Sequence, residues 1–105
     1  MEARKAEVNR WSGNRKPDEA TIRQILAEQG LHGYRWSNGP GDLYSAHSHT
    51  YNKVIHVISG SITFGLPETE ERVTLNPGDR LDLPAGVSHN AVVGPEGVVC
   101  IEAHR

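Results

Sequence analysis

Cysteine, aromatic side chains and long apolar runs are all scarce in this sequence. Among 105 residues there is one cysteine, Cys100, so no intramolecular disulfide can form. That excludes a disulfide-stapled scaffold. The start, MEARKAEVNR, has no apolar stretch of the kind that opens a secretory signal, so the expected compartment is the cytosol. No run approaches the roughly 20 apolar residues of a membrane helix, and no membrane association is expected. Aromatic residues make up 6% and the formal net charge is −2, with acidic and basic residues intermixed. A basic stripe with interleaved aromatics is missing, which argues against nucleic acid as a partner. Apolar residues, at 36%, still provide for one core in a chain of this length.

What the chain does have is histidine, six in all, so their positions carry the argument. His47 and His49 stand one residue apart among apolar and β-branched neighbours. In a β-strand, residues i and i+2 share a face, so the two imidazoles project side by side. Paired neutral imidazoles suit a transition metal. A third histidine, His89, follows a bend at Pro84-Ala85-Gly86, where proline fixes one dihedral and glycine is free to take a positive one. That bend can bring His89 to the mouth that presents the first two.

Residues 1–16 are polar and read as an extended arm, either frayed or anchored by Trp11 on the domain or on a neighbouring subunit. Residues 17–105 are expected to form a single domain, with a helix over about 18–29 and a barrel over about 31–104. Pro17 fits the first helical turn, and Asp18 and Glu19 place negative charge at its positive end. Ile22, Ile25 and Leu26 give one apolar stripe, and Gly30 ends it. Beyond Leu31 the pattern predicts strands near 32–37, 42–47, 51–59, 61–66, 70–75, 79–83, 88–93 and 97–103. Turns are expected at Asn38-Gly39-Pro40-Gly41, Ser59-Gly60, Pro67-Glu68, Asn76-Pro77-Gly78 and Gly94-Pro95-Glu96-Gly97. Such short strands imply an all-β sandwich or barrel.

The stretches Gly41-x5-His47-x-His49-x3-Lys53-x6-Gly60 and Gly78-x5-Pro84-x-Gly86-x2-His89 resemble the two signature motifs of the cupin superfamily. With their intervening segment they cover about half the chain, Gly41 to Val93. The resemblance implies an antiparallel jelly-roll β-barrel, to which the sequence pattern adds one short N-terminal helix. It also implies a divalent transition metal (Fe, Mn, Ni or Zn) held by His47, His49 and His89. Two positions depart from the family: Lys53 replaces a glutamate ligand, and Val93 replaces an asparagine.

An ammonium has no lone pair for a metal, so Lys53 leaves three readings open. The metal is held by three histidines alone, in a strongly positive pocket that favours an anion. Alternatively Lys53 is a deprotonated base. In the third reading the metal is lost, and the histidines and Lys53 bind an organic anion directly. Lys53 and Tyr51 are the candidate catalytic residues. Strand parity from His49 places Tyr51, Lys53, Ile55 and Val57 inside, with Tyr51 either bonding a ligand or forming wall. By the same parity His56 points outward, as a surface or interface histidine. Cys100 reads as packing, with a soft fourth ligand as the alternative. His32 and His104 are expected in solvent, and Asp82 faces outward.

Three functions compete on this basis: a metal-dependent enzyme acting on a small anionic metabolite, a binding module for such a ligand, and a structural role. Three-histidine cupins include thiol and diketone dioxygenases, so the resemblance ranks oxygenase-type chemistry ahead of isomerase chemistry. A homodimer is expected, with Trp11, Trp36 and the arm sealing it.

Overall fold

A computed structural model describes residues 5–105; the first four residues of the expected arm lie outside the described residues. Chain order is β1 (Glu7–Asn9), α1 (Glu19–Glu28), β2 (Tyr34–Asn38), β3 (Leu43–His47), β4 (Lys53–Leu66), β5 (Glu71–Leu75), β6 (Arg80–Leu83) and β7 (His89–His104). All pairings are antiparallel, in the order β1-β6-β4-β7-β2, with β3 on β7 and β5 on β4.

Two long strands organise the barrel. The sequence predicts strands 51–59 and 61–66 separated by a turn at Ser59-Gly60, but β4 runs unbroken through both. Likewise 88–93 and 97–103 are one strand, β7. The expected turns are bulges at the point where the two strands lie side by side. Gly60 pairs with Val98 and Ile62 with Val93, so residues 94–97 stand opposite Ser61 alone. Gly60 takes φ 74° and Gly97 φ 79°, the left-handed region open to glycine. Extra residues in one strand bend and twist it, and each long strand thereby serves two sets of neighbours. The first half of β4 pairs with β6 and the second with β5, while β7 pairs first with β3 and then with β2.

The inner faces meet in a core of Ile55, Val57, Ile62, Phe64, Leu66, Leu75, Leu81, Leu83, Ala91, Val93, Val98 and Cys100. Cys100 is fully buried, and that burial pushes its thiol up to about 12, so it packs as a small hydrophobe. A second cluster lies on the outer face, where α1 sets Ile22 and Leu26 on Val54, Ile101 and Ala103. Asp18 is the N-cap and accepts from Thr21 N at 2.7 Å; Pro17 therefore precedes the cap and lies outside the first turn. Gly30 follows the helix with φ 74°. Among the described residues no helix is long and apolar enough to cross a membrane.

The arm is anchored on its own domain. β1 pairs with β6, and both Arg10 Nη1 and Trp11 N donate to the Asp79 carboxylate, at 2.8 and 2.9 Å. The indole of Trp11 lies against Gly78, where a Cβ would fall 2.3 Å from the ring. Trp36, also expected at an interface, faces the interior pocket.

His56 points away from that interior, as parity predicts, yet it does not reach the surface. The arm, α1 and Arg80 surround it, it is 4% exposed, and neither ring nitrogen has a partner among the described residues. Burial, and after it the Arg80 guanidinium, hold the imidazole down at about 4, with Asp82 acting the other way. In the unfolded chain it titrates near 6.5, so the folded state binds fewer protons between those values. This contribution to stability is intact above pH 6.5 and is lost as pH falls towards 4, by about 3 kcal/mol. His56→Leu is expected to flatten that part of the decline. Urea unfolding at pH 7, 5.5 and 4 checks it, and parallel curves for the two proteins would reject the assignment.

Candidate metal centre and ligand pocket

His47 ends β3 and pairs directly with His89, the first residue of β7. His49 lies two residues beyond the strand end, so a strand face is not what aligns it with His47. Gly86 instead donates its backbone N–H to the His49 carbonyl at 2.8 Å, joining the two motifs. Gly86 has φ 83°, the positive value that the bend requires. The ring centroids of His47 lie 4.7 Å from His49 and 4.4 Å from His89, and those of His49 and His89 are 5.2 Å apart.

The protonation pattern suits a metal. Nδ1 of His47 lies 2.7 Å from the Ser45 carbonyl, and Nδ1 of His89 lies 3.0 Å from the Val87 carbonyl. A carbonyl only accepts, so each Nδ1 carries a proton, and in the neutral ring Nε2 is then the nitrogen with the free lone pair. The Nε2 of His49 is buried with no partner among the described residues. One ligand atom from each ring lies within 4.8 Å of the others. Burial, then Lys53 and His47, hold His49 below the usual histidine range. Burial also dominates in lowering His89, against the Val87 carbonyl, which pulls it up. Three imidazoles with ligand atoms this close, one with an orphaned buried nitrogen, fit a transition-metal ion.

Beside this triad is a cavity of about 270 Å³. Its floor is Ile55, Ile62, Phe64 and Ala91, and Trp36 and Tyr44 wall one side. Lys53 faces into it as parity predicts, but it is not an isolated charge. Its Nζ lies 3.1 Å from Glu102 Oε2, and the two side chains are 14% and 3% exposed. The expected strongly positive pocket is corrected accordingly, because a carboxylate offsets the ammonium. Glu102 also accepts from Trp36 Nε1 at 3.1 Å, from His104 Nε2 at 3.0 Å and from the Tyr34 hydroxyl. Burial pushes its pKa up, but the Tyr34 hydroxyl, Lys53 and His104 outweigh it and hold it below the usual glutamate value. Desolvation foremost, then Glu102, raises the Tyr34 phenol.

Glu102 was legible only through parity. It alternates with Val98 and Cys100 in the last apolar run, which puts a carboxylate on an inward position. His104 shares that parity and is engaged by Glu102 and Tyr34, not simply solvated. Tyr51 lies outside the strand expected to carry it, and its ring does not line the cavity. It is 37% exposed and packs its ring on His49 and on His104. Asp82 is outside the barrel interior, bonded to Arg80.

No known family's sequence model matches the chain, and no curated protein matches it. Solved structures do. An RmlC-like cupin from Shewanella frigidimarina is 24% identical over 70% of this chain and 64% of its own, with a TM-score of 0.61. A DUF861 family protein from Thermotoga maritima is 14% identical over 96% of this chain and all of its own, with a TM-score of 0.66. A structure from work on two DMSP lyases, RdDddP and RnDddQII, is 27% identical over 73% of this chain with a TM-score of 0.63, and the match spans 39% of that chain. These similarities are of fold.

Proposed function

We propose, from the cupin fold that this chain has, that it binds one divalent transition-metal ion through His47, His49 and His89. In this reading the adjacent cavity takes a small anionic metabolite. The observation that carries it is the convergence of three imidazole nitrogens, two with their tautomer set by a backbone carbonyl and the third buried without a partner. A site with only three protein ligands leaves positions for water or ligand. The metal, when bound, supplies Lewis-acid or redox chemistry according to its identity.

The chain's own residues do the rest. Lys53, steadied by Glu102, presents N–H donors that pair an oxygen anion at the triad. Ile55, Ile62, Phe64 and Ala91 exclude water behind it, which strengthens every charge interaction in the cavity. With a carboxylate 3.1 Å away, Lys53 is better suited to binding an anion than to abstracting a proton. Oxygenase-type turnover follows the resemblance to three-histidine cupins. The same fold serves a compared DMSP lyase, so it hosts enzymes. The alternative, a non-catalytic binding module for a carboxylate or sugar derivative, is favoured by the engagement of Glu102 with four donors, which leaves it poorly placed to move a proton.

Elemental analysis of untagged protein tests the metal. Wild type is expected to carry close to one ion per chain, and His47→Ala and His89→Ala close to none. Wild type that stays metal-free after incubation with Fe, Mn, Ni and Zn salts rejects the metal. Anion binding that depends on Lys53 would then support the binding module.

A further inference from the structure

Two of the three candidate ligands are oriented in the same way, and the third is not. The rings of His47 and His89 are each fixed by an Nδ1–H bond to a backbone carbonyl. Among the described residues, His49 has no hydrogen-bond partner for either nitrogen. It is also the only one of the three outside a strand. A ligand without such a bond can turn about its side-chain torsions, which costs affinity when a metal requires one orientation.

What holds His49 is a ring stack. Tyr51 lies on it with centroids 5.1 Å apart and planes inclined 29°. On the far side of Tyr51 lies His104, at 4.1 Å and 31°. His104 is fixed in turn by Glu102 Oε2 and by the Tyr34 hydroxyl, each 3.0 Å from its Nε2, and Tyr34 meets its ring edge-on at 5.5 Å. A hydrogen-bonded carboxylate buried in the barrel is therefore linked, through two rings, to the candidate ligand that lacks a bond of its own. Glu102 also pairs with Lys53, so the same carboxylate touches the ligand cavity.

We propose that Tyr51, braced by His104 and Glu102, is the positioning residue for His49. The inference rests on the metal reading above. It moves Tyr51 from contact with substrate to control of the third metal ligand. The ring does this, not the hydroxyl, because stacking needs only the aromatic face.

The test is titration of the metal-free protein with Co(II), followed by its d–d absorption and by competition with a chelator. Tyr51→Ala is expected to weaken Co(II) binding about tenfold and to alter the absorption band, while Tyr51→Phe stays within about twofold of wild type. His104→Leu, which removes the brace but leaves the ring, is expected to fall between them. Thermal unfolding of each metal-free variant separates loss of fold from loss of positioning. Wild-type affinity and spectrum in Tyr51→Ala would overturn the inference while leaving the metal reading intact. An equal loss in Tyr51→Phe would overturn it too, by assigning the effect to the hydroxyl. Wild type that binds no Co(II) overturns the metal reading and the inference with it.

Discussion

Replacing Glu102 with alanine is expected to destabilise the protein by about 4 kcal/mol, the range seen when one partner is removed from a buried ion pair. Glu102 is 3% exposed and Lys53, at 14%, is nearly as enclosed. Without the carboxylate, the ammonium stays in a cavity floored by Ile55 and Phe64 with no anion to offset it. The Trp36 indole N–H, the Tyr34 hydroxyl and the His104 ring each lose an acceptor as well. Urea unfolding measures the loss. The double variant Lys53→Met/Glu102→Ala is expected to recover part of it, since it removes the stranded charge and not only its partner. A loss below about 1 kcal/mol in Glu102→Ala would mean that the pair behaves as a solvated surface contact.

A comparable effect is expected at the junction of the two long strands. A Cβ on Gly60 would lie 1.9 Å from the Gly97 carbonyl oxygen and 2.8 Å from its carbon, with φ at 74°. Neither obstacle is a flexible side-chain end, so the backbones must part. Left-handed backbone costs a non-glycine residue about 1–2 kcal/mol and overpacking about 1–3 more, so Gly60→Ala is expected to lose about 4 kcal/mol. Gly41 separates the two terms. It also has φ 74°, but a Cβ there meets nothing within 4 Å, so Gly41→Ala is expected to lose only the conformational part, about 1–2 kcal/mol. Equal losses in both variants would show that the strands give way at Gly60 without strain. If Gly60→Ala folds at all, its pocket should suffer. The register on either side of the junction is what sets Ile55 opposite Glu102 and Lys53 opposite His104.

The site was legible in the sequence to the extent that it is local. His47, His49, the Pro84–Gly86 bend and His89 lie in two short stretches whose spacing predicts how each bends, and the structure brings all three imidazoles together. Local patterning likewise placed the stripe of Ile22 and Leu26, the stop at Gly30 and the inward face of Ile55 and Val57. Glycine positions were found correctly and interpreted in part wrongly. A positive-φ glycine serves a turn or a bulge equally well, and only the neighbouring strand decides between them at Gly60 and Gly97.

By itself, then, the sequence determined an antiparallel β-barrel with one short helix, three histidines able to meet, and a lysine facing the same interior. Tertiary structure decided the surroundings of those groups. Glu102 neutralises Lys53 across 49 positions of chain, Tyr51 leaves the cavity to stack between His49 and His104, and the arm and helix enclose an outward-facing His56. Strand parity states which side of a sheet a residue takes. What covers that side, and which charge sits opposite, depends on strand register and on packing between segments distant in the chain.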